Sequence, residues 1–515
     1  MRLEGRLRDS ARRDAGKTVL VAGGRRLSYA TLDQQSDRLA ASLIRLGIQP
    51  GARVVMLLDN DVEAVVSFFA VWKAGAVACP LYVSMKPEKL AAILTSTEAA
   101  AVIASARLLA TVDAAIPLAG LAPIRIVTQA PPDAAPSALR FEDLVEAEQA
   151  GELLSSTDCE ALALLIHTSG STGRPKGVML SHANIDAACQ SIISYLGNTS
   201  DDIVLNVLPL SFGYGITQVV TMASVGGTLV LEKSFAFPRK ILDRLREESA
   251  TGFPLVPAMA ALVGGMKDLA PGFLPDLRYV TSAAAALPPA LSTRLQALLP
   301  QTQIFIMYGQ TECMRVSYLP PEHLATRPTS VGKAIPGTHL FVAGDDGLPA
   351  APGVIGELVV EGPHVMAGYW QDGPATARTL QPAKTGRALL TGDLFRMDAD
   401  GFLYFISRKD DIIKTRGEKV SPQEVERVLY ALPGIREAAV TGIDDPIFGQ
   451  VVQAYVALEP GAVLGEKDII RHCASQLEDY MVPKGIEFRD ALPRTTTGKI
   501  RMSAADNEQQ RGNAV

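Results

Sequence analysis

The chain has 515 residues, too many for one ordinary domain of ~100–200 residues, so several compact units are expected. Hydrophobic residues make up 48% and charged residues 20%, which excludes disorder over most of the length. With 49 basic against 55 acidic side chains, a net charge of -6, a generally basic polyanion binder is excluded and no nucleic-acid partner is expected.

In chain order, the first residues mix both charge signs, so no secretory signal is expected. Tyr29 to Leu46 sets Leu32, Leu39, Ala40, Leu43 and Ile44 on one helical face, and Gln49-Pro50-Gly51 closes it. Arg53 to Leu58 reads as a buried strand, Asp61 to Ala74 as a helix and Val77 to Leu81 as a strand. Ala64 to Val83 is the strongest apolar run, but Lys73 and Gly75 interrupt it, and no integral membrane span is expected. Val102 to Ala104 and Ile124 to Val127 continue an alternation that predicts parallel sheets covered by helices. Pro131 to Ser137 reads as a surface loop.

From Thr338 to Ala367 short runs separated by Gly, Pro and Asp predict antiparallel strands in a small β-barrel-like subdomain. A boundary is expected near Arg408. Beyond it, Ser421 to Leu429 reads as a helix with a Ser421–Glu424 capping box. Ala438 to Val440 and Gln453 to Leu458 read as strands, Glu466 to Leu477 as a helix, and Asp506 to Val515 as a frayed end. The expected fold is α/β: a large N-terminal domain over 1–407, then a small mobile α+β C-terminal domain over 408–515. Cys79, Cys159, Cys189, Cys313 and Cys473 are odd in number and widely spaced, which argues against a disulfide framework or a zinc ribbon. A cytoplasmic, metal-poor enzyme is the composition-level expectation.

The strongest chemical signal is an apolar strand, Leu164-Leu165-Ile166-His167, running into Thr168-Ser169-Gly170-Ser171-Thr172-Gly173-Arg174-Pro175-Lys176-Gly177. Glycines let backbone N–H groups approach phosphate oxygens, the hydroxyls add donors, and Lys176 adds a point charge. This is not the common NTPase loop, because Gly177 follows the lysine and Pro175 blocks a helix start.

The pattern resembles the phosphate loop of the adenylate-forming superfamily of acyl-CoA synthetases, carrier-protein adenylation enzymes and luciferases. Further segments in matching order extend the resemblance: Tyr308-Gly309-Gln310-Thr311-Glu312, Gly356-Glu357-Leu358, Gly368-Tyr369-Trp370, Thr391-Gly392-Asp393, Arg408 to Lys414, and Pro493 to Lys499. The resemblance implies ATP as substrate, with Thr168, Ser169, Gly170, Ser171, Thr172, Gly173, Lys176, Tyr308 and Gly309 around the nucleotide. By the same carry-over Glu312 is the magnesium-associated carboxylate, Thr311 contacts the α-phosphate, Asp393 accepts from the ribose hydroxyls and Arg408 reaches the nucleotide. Lys499 bridges the carboxylate and the α-phosphate. Asp410 is the hinge about which the small domain turns, bringing the segment around Lys414 and Gly417 to the site for thiol attack. Lys414 is thereby carried among the catalytic residues.

Substrate readings concern Phe212, Gly213, Ala284 and Ala285. Amino-acid-activating relatives carry Asp after Ser-Phe, where this chain has Gly213. A buried ammonium without a partner costs several kcal/mol, so α-amino acids are not expected as substrates. Ala283 to Ala286 form an apolar wall that, with Phe212, Phe253 and Val256, suggests an aliphatic or aromatic acid. Two departures stand out: His167 where relatives are commonly aromatic, and Phe212 where many acyl-CoA synthetases have His.

The resemblance thus implies an AMP-forming acid–thiol ligase. The acceptor is coenzyme A first, or the phosphopantetheine of an acyl carrier protein, since Ser211-Phe212-x-Tyr214-Gly215 resembles some free-standing carrier-protein ligases. The chain ends soon after Lys499, so no fused carrier domain is expected. A catalytically silent nucleotide-binding regulator and an ADP-forming phosphoryl transferase are the readings of a different class.

Overall fold

The computed structural model describes residues 1–130, 138–147, 157–169, 175–383, 386–409, 411–415, 418–445 and 449–494. The readings of 131–137 as a loop and of 506–515 as a frayed end lie outside them. The chain divides into two compact units: Met1–His339 with Val360–Leu389, and Leu340–Val359 with Leu390–Val515.

In the first unit the alternation of β-branched runs and amphipathic helices produces two helix-covered sheets. One has a parallel core of Gln303–Tyr308, Tyr279–Ser282, Gly252–Leu255, Ile203–Asn206, Thr228–Leu231 and Thr18–Ala22, in that spatial order. Antiparallel strands border it at each side, Ser317–Leu319 beside Gln303–Tyr308 and Arg25–Ser28 beside Thr18–Ala22. The other runs Leu162–Ser169, Val77–Pro80, Arg53–Leu57, Ala101–Ser105 and Ile124–Thr128 in parallel. Its edge is antiparallel: Pro175–Ser181 folds back on Leu162–Ser169, and Gly368–Tyr369 pairs with Pro175–Ser181.

The helix Val62–Lys73 shows how the sequence specifies this layer. The Asp61 carboxylate caps it by accepting from the Val62 N–H at 2.8 Å. Every residue of the helix is buried, with Phe68, Phe69 and Trp72 each at most 1% exposed. Burying each such side chain is worth ~1.5–3 kcal/mol. Lys73, which interrupts the apolar run, is buried too. Its ammonium meets Asp33 Oδ1 at 2.5 Å, Asp37 Oδ1 at 2.7 Å and Ser36 Oγ at 2.8 Å, all on the neighbouring helix Tyr29–Arg45. A buried charge needs such partners, and these tie the two helices in one register.

In the second unit, Asp393–Met397 pairs antiparallel with Leu403–Arg408. Further along, Ile435–Asp445 and Gly449–Leu458 form a long hairpin joined by Ile413–Thr415, Glu418–Val420 and Gly485–Phe488. The helices Pro422–Ala431 and Glu466–Ala474 cover it through Val425, Leu429 and Ile469 against Val440, Val452 and Val456. The capping box expected at Ser421 does not form. The Ser421 hydroxyl instead donates to the Ile406 carbonyl at 2.5 Å, a tertiary partner that outcompetes the local one, and Pro422 opens the helix. Among the described residues no helix is long and apolar enough to cross a membrane.

Lys73→Met is expected to lower stability by roughly 3–5 kcal/mol, because it strands two carboxylates at a helix interface; the urea midpoint of the full chain measures it. Glu426 accepts from the Val440 N–H at 2.9 Å, and burial pushes its carboxyl up from 4.5 to about 7. The folded chain therefore holds a proton that the unfolded chain has lost, so this group's contribution to stability falls as pH rises from 4.5 to about 7. Glu426→Gln is expected to flatten that slope, and melting temperatures at pH 5 and pH 8 in parent and variant check it.

Candidate active site

In an open parallel sheet, ligand-binding loops gather beyond the carboxyl ends of the strands. The sequence-predicted residues of the first unit follow that rule. Phe212 and Gly213 come after Ile203–Asn206, Ala284 and Ala285 after Tyr279–Ser282, and Gly309, Thr311 and Glu312 after Gln303–Tyr308. Thr168 and Ser169 end the strand Leu162–Ser169.

The hairpin pairs Thr168 with Lys176 and His167 with Gly177. Its second strand pairs with Gly368–Tyr369 so that Tyr369 lies opposite Val178. Residues two apart on a strand share a face, so Lys176 is a diagonal neighbour of Tyr369. Its ammonium sits 5.2 Å from the centroid of the Tyr369 ring. The Tyr369 hydroxyl donates to Glu312 Oε1 at 2.8 Å. Backbone bonds fix the same junction, from Met366 N to Glu312 O at 2.8 Å and from Trp370 N to Gly177 O at 2.8 Å. Lys176 and Glu312, far apart in sequence, are thus joined through one phenol. Gln310 Nε2 donates to the Tyr308 hydroxyl at 3.2 Å.

His167 is half-buried within this hairpin, and desolvation pushes it down to about 4, so the imidazole stays uncharged near neutral pH. Its Nδ1 makes no hydrogen bond. That suits a packing group better than a general base.

The second unit assembles another cluster. Asp393 Oδ1 lies 2.9 Å from Arg408 Nε. Glu357 accepts from the Gly392 N–H at 2.9 Å through Oε1, and its Oε2 meets Lys409 Nζ at 2.9 Å. The segments Gly356-Glu357-Leu358, Thr391-Gly392-Asp393 and Arg408-Lys409 therefore converge on one carboxylate. Lys414 lies in the strand Ile413–Thr415 opposite Lys419. Gly170, Ser171, Thr172, Gly173, Asp410, Gly417 and Lys499 lie outside the described residues, as do the side chains of Ser169 and Lys414.

Around the expected acyl pocket, Phe212 is half-buried with its ring 6.0 Å from that of Tyr82. Ala284 adopts a left-handed φ of 76°, a strained geometry for alanine, while Ala285 is exposed. Phe253 is buried within its strand, 6.1 Å from the Phe235 ring. Met314 is also left-handed, with φ 57°, and its Cε stands 3.2 Å from where a Cβ on residue 213 would be. Met314 therefore occupies the space into which an acidic side chain at 213 would project.

Sequence reasoning missed Tyr369 as the link, Met314 as the filler and Arg315 as a buried charge. The first had a motif as its only signal. The other two lie two and three residues beyond Glu312 but carry no pattern of their own.

Among the described residues, no group of three or more His, Cys, Asp or Glu could hold a metal by itself. Glu312 has one oxygen bound by Tyr369, which suits a hard cation that takes most of its ligands from phosphate and water.

The model of the AMP-binding enzyme family matches residues 7–370, and that of the AMP-binding enzyme C-terminal domain matches 424–499. The chain is 33% identical over 502 residues to a feruloyl-CoA synthase of Amycolatopsis sp, covering 95% of each chain. It is 31% identical to the indoleacetate–CoA ligase of Aromatoleum aromaticum, covering 95% of this chain and 94% of that one. The structure is similar to that of ATP-bound MatB from Rhodopseudomonas palustris, with a TM-score of 0.89, 28% identity and 99% of both chains covered.

At Gly309 a Cβ would fall 2.5 Å from the Met314 carbonyl oxygen and 2.9 Å from the Arg315 Cα. Gly309→Ala is expected to cost about 1–3 kcal/mol by overpacking, and a denaturant titration followed by circular dichroism measures the loss.

Proposed function

Because the chain belongs to the AMP-binding enzyme family, we propose that it is an AMP-forming acid–thiol ligase that activates a non-amino carboxylic acid with ATP and passes the acyl group to coenzyme A. The carboxylate oxygen attacks the α-phosphorus and pyrophosphate leaves. The thiol sulfur then attacks the acyl carbon, AMP leaves, and the thiol proton goes to solvent.

The observation that carries this reading is the Lys176–Tyr369–Glu312 arrangement at the end of the phosphate-loop hairpin. A carboxylate and a triphosphate repel each other, so joining them requires cationic groups and a metal around the phosphates. Lys176 offers one cation. Glu312, held by the Tyr369 hydroxyl, would be the residue that takes a magnesium ion, and such an ion would neutralise charge on the phosphates. Thr168, Ser169, Gly170, Ser171, Thr172, Gly173, Tyr308, Gly309 and Thr311 surround the nucleotide in this reading. Asp393 holds the ribose, oriented by Arg408 at 2.9 Å. Phe212, Gly213, Ala284 and Ala285 border the acyl group, and the Met314 side chain packed against Gly213 supports the exclusion of α-amino acids.

Lys499 supplies the second cation for adenylation. Residues 408–515 form the domain that turns about Asp410 between the half-reactions and brings the segment of Lys414 into use. The reaction is assigned to the cytoplasm.

The test is a panel of carboxylic acids scored for AMP and pyrophosphate, with coenzyme A and with a carrier-protein pantetheine as alternative acceptors. Acid-dependent AMP is expected; ADP, or no acid dependence, overturns the reading. Lys499→Ala is expected to slow acyl-adenylate formation by ~10²–10³ and to spare thiolysis of pre-made acyl adenylate. Asp410→Pro, which fixes φ, is expected to impair the change between half-reactions. Equal loss of both half-reactions in Lys499→Ala contradicts the division of labour.

A further inference from the structure

Arg315 is 3% exposed, yet among the described residues no carboxylate lies within ion-pair distance of it. Its Nε is buried and makes no hydrogen bond. Its guanidinium carbon lies 5.0 Å from the centroid of the Tyr214 ring. No hydrogen bond joins it to the Tyr214 hydroxyl, which donates to the Thr281 carbonyl at 3.0 Å and lies 2.7 Å from Thr281 Oγ1. Cys189 and Tyr195 feel its charge, and both are buried and un-ionised near neutral pH. A cation taken out of water without an anion is costly. Among the described residues the other buried arginine and lysine, Arg2 and Lys73, each have an acid at 2.5 Å.

The position of Arg315 is as telling as its lack of a partner. Its Cα lies against Gly309, so that a Cβ there would be 2.9 Å away. The preceding Met314 fills the space beside Gly213, and Tyr214 follows Gly213. The guanidinium therefore sits between the Tyr308–Glu312 loop and the Phe212–Tyr214 segment, both assigned above to the substrates. A fork of N–H donors with a free edge matches a carboxylate in shape and charge.

We propose that Arg315 is a specificity residue that binds a second carboxylate, so that the preferred substrate is a dicarboxylic acid of which one end is activated. This deepens the ligase reading and rests on it. It also refines the apolar wall read from Ala283 to Ala286: the wall accommodates the hydrocarbon between the two carboxyl groups. A cation in this place disfavours a substrate ammonium, in line with Gly213.

The experiment compares matched acids, hexanoate with adipate and benzoate with terephthalate, in the intact enzyme and in Arg315→Met and Arg315→Lys. The parent enzyme is expected to prefer the diacid in at least one pair by ~10-fold or more in kcat/KM. Arg315→Met is expected to lose ~10²-fold on that diacid, mostly through KM, while its monoacid partner changes little. Arg315→Lys is expected to recover part of the loss, since charge remains without the fork. A parent enzyme that favours the monoacid in every pair overturns the proposal, as does equal loss on both members of a pair in Arg315→Met. Turnover of monoacids alone leaves the ligase reading standing and sinks only this one. If no acid yields AMP, the ligase reading fails. Thermal stabilisation by the diacids without ATP then decides Arg315: a shift lost in Arg315→Met supports it, and no shift in the parent overturns it.

Discussion

Tyr369 serves opposite charges at its two ends. Its hydroxyl donates to Glu312 at 2.8 Å while its ring face lies under the Lys176 ammonium at 5.2 Å. A lysine and a glutamate close enough to pair would neutralise each other. With the phenol between them, among the described residues, they form no ion pair. Neither charge is cancelled by the other, yet neither is left without company in a half-buried place, which is what the proposed nucleotide and metal roles require. The hairpin strand and Gly368–Tyr369 are in register because Tyr369 pairs with Val178, and that register sets the phenol beside Lys176. The rest of the chemistry depends on this spacing.

The second unit uses a carboxylate in the converse way. Glu357 draws the Gly392 N–H and the Lys409 ammonium to one point, and so sets Asp393 next to Arg408. Three short motifs that look independent in the sequence are one hydrogen-bonded cluster, which explains why each is weak evidence alone.

The fold was legible wherever a signal was local. The helix Val62–Lys73 and the strands Arg53–Leu57 and Val77–Pro80 follow from periodicity, and the strand Leu162–Ser169 follows from its apolar run, whereas its antiparallel return Pro175–Ser181 carried no signal that was read. What could not be read were partners chosen in three dimensions. Ser421 carries the local signature of a capping box, but the Ile406 carbonyl takes its hydroxyl. Lys73 could be recognised as an interruption in an apolar run, while its acids belong to a helix encountered earlier in the chain. Tyr369 stood within a motif, but nothing local says that it reaches Glu312, 57 positions away. Arg315 had no signal at all, because a buried cation is recognised only when its surroundings are known.

The left-handed backbone of Met314 has a consequence for how the pocket can change. Its side chain and the missing one at 213 share a single volume, so the two positions form one unit of variation. A larger residue at 213 requires the Met314 methyl to give way by a change of side-chain rotamer. Replacements at 213 and 314 are therefore expected to be coupled, so that their effects together differ from the sum of each alone.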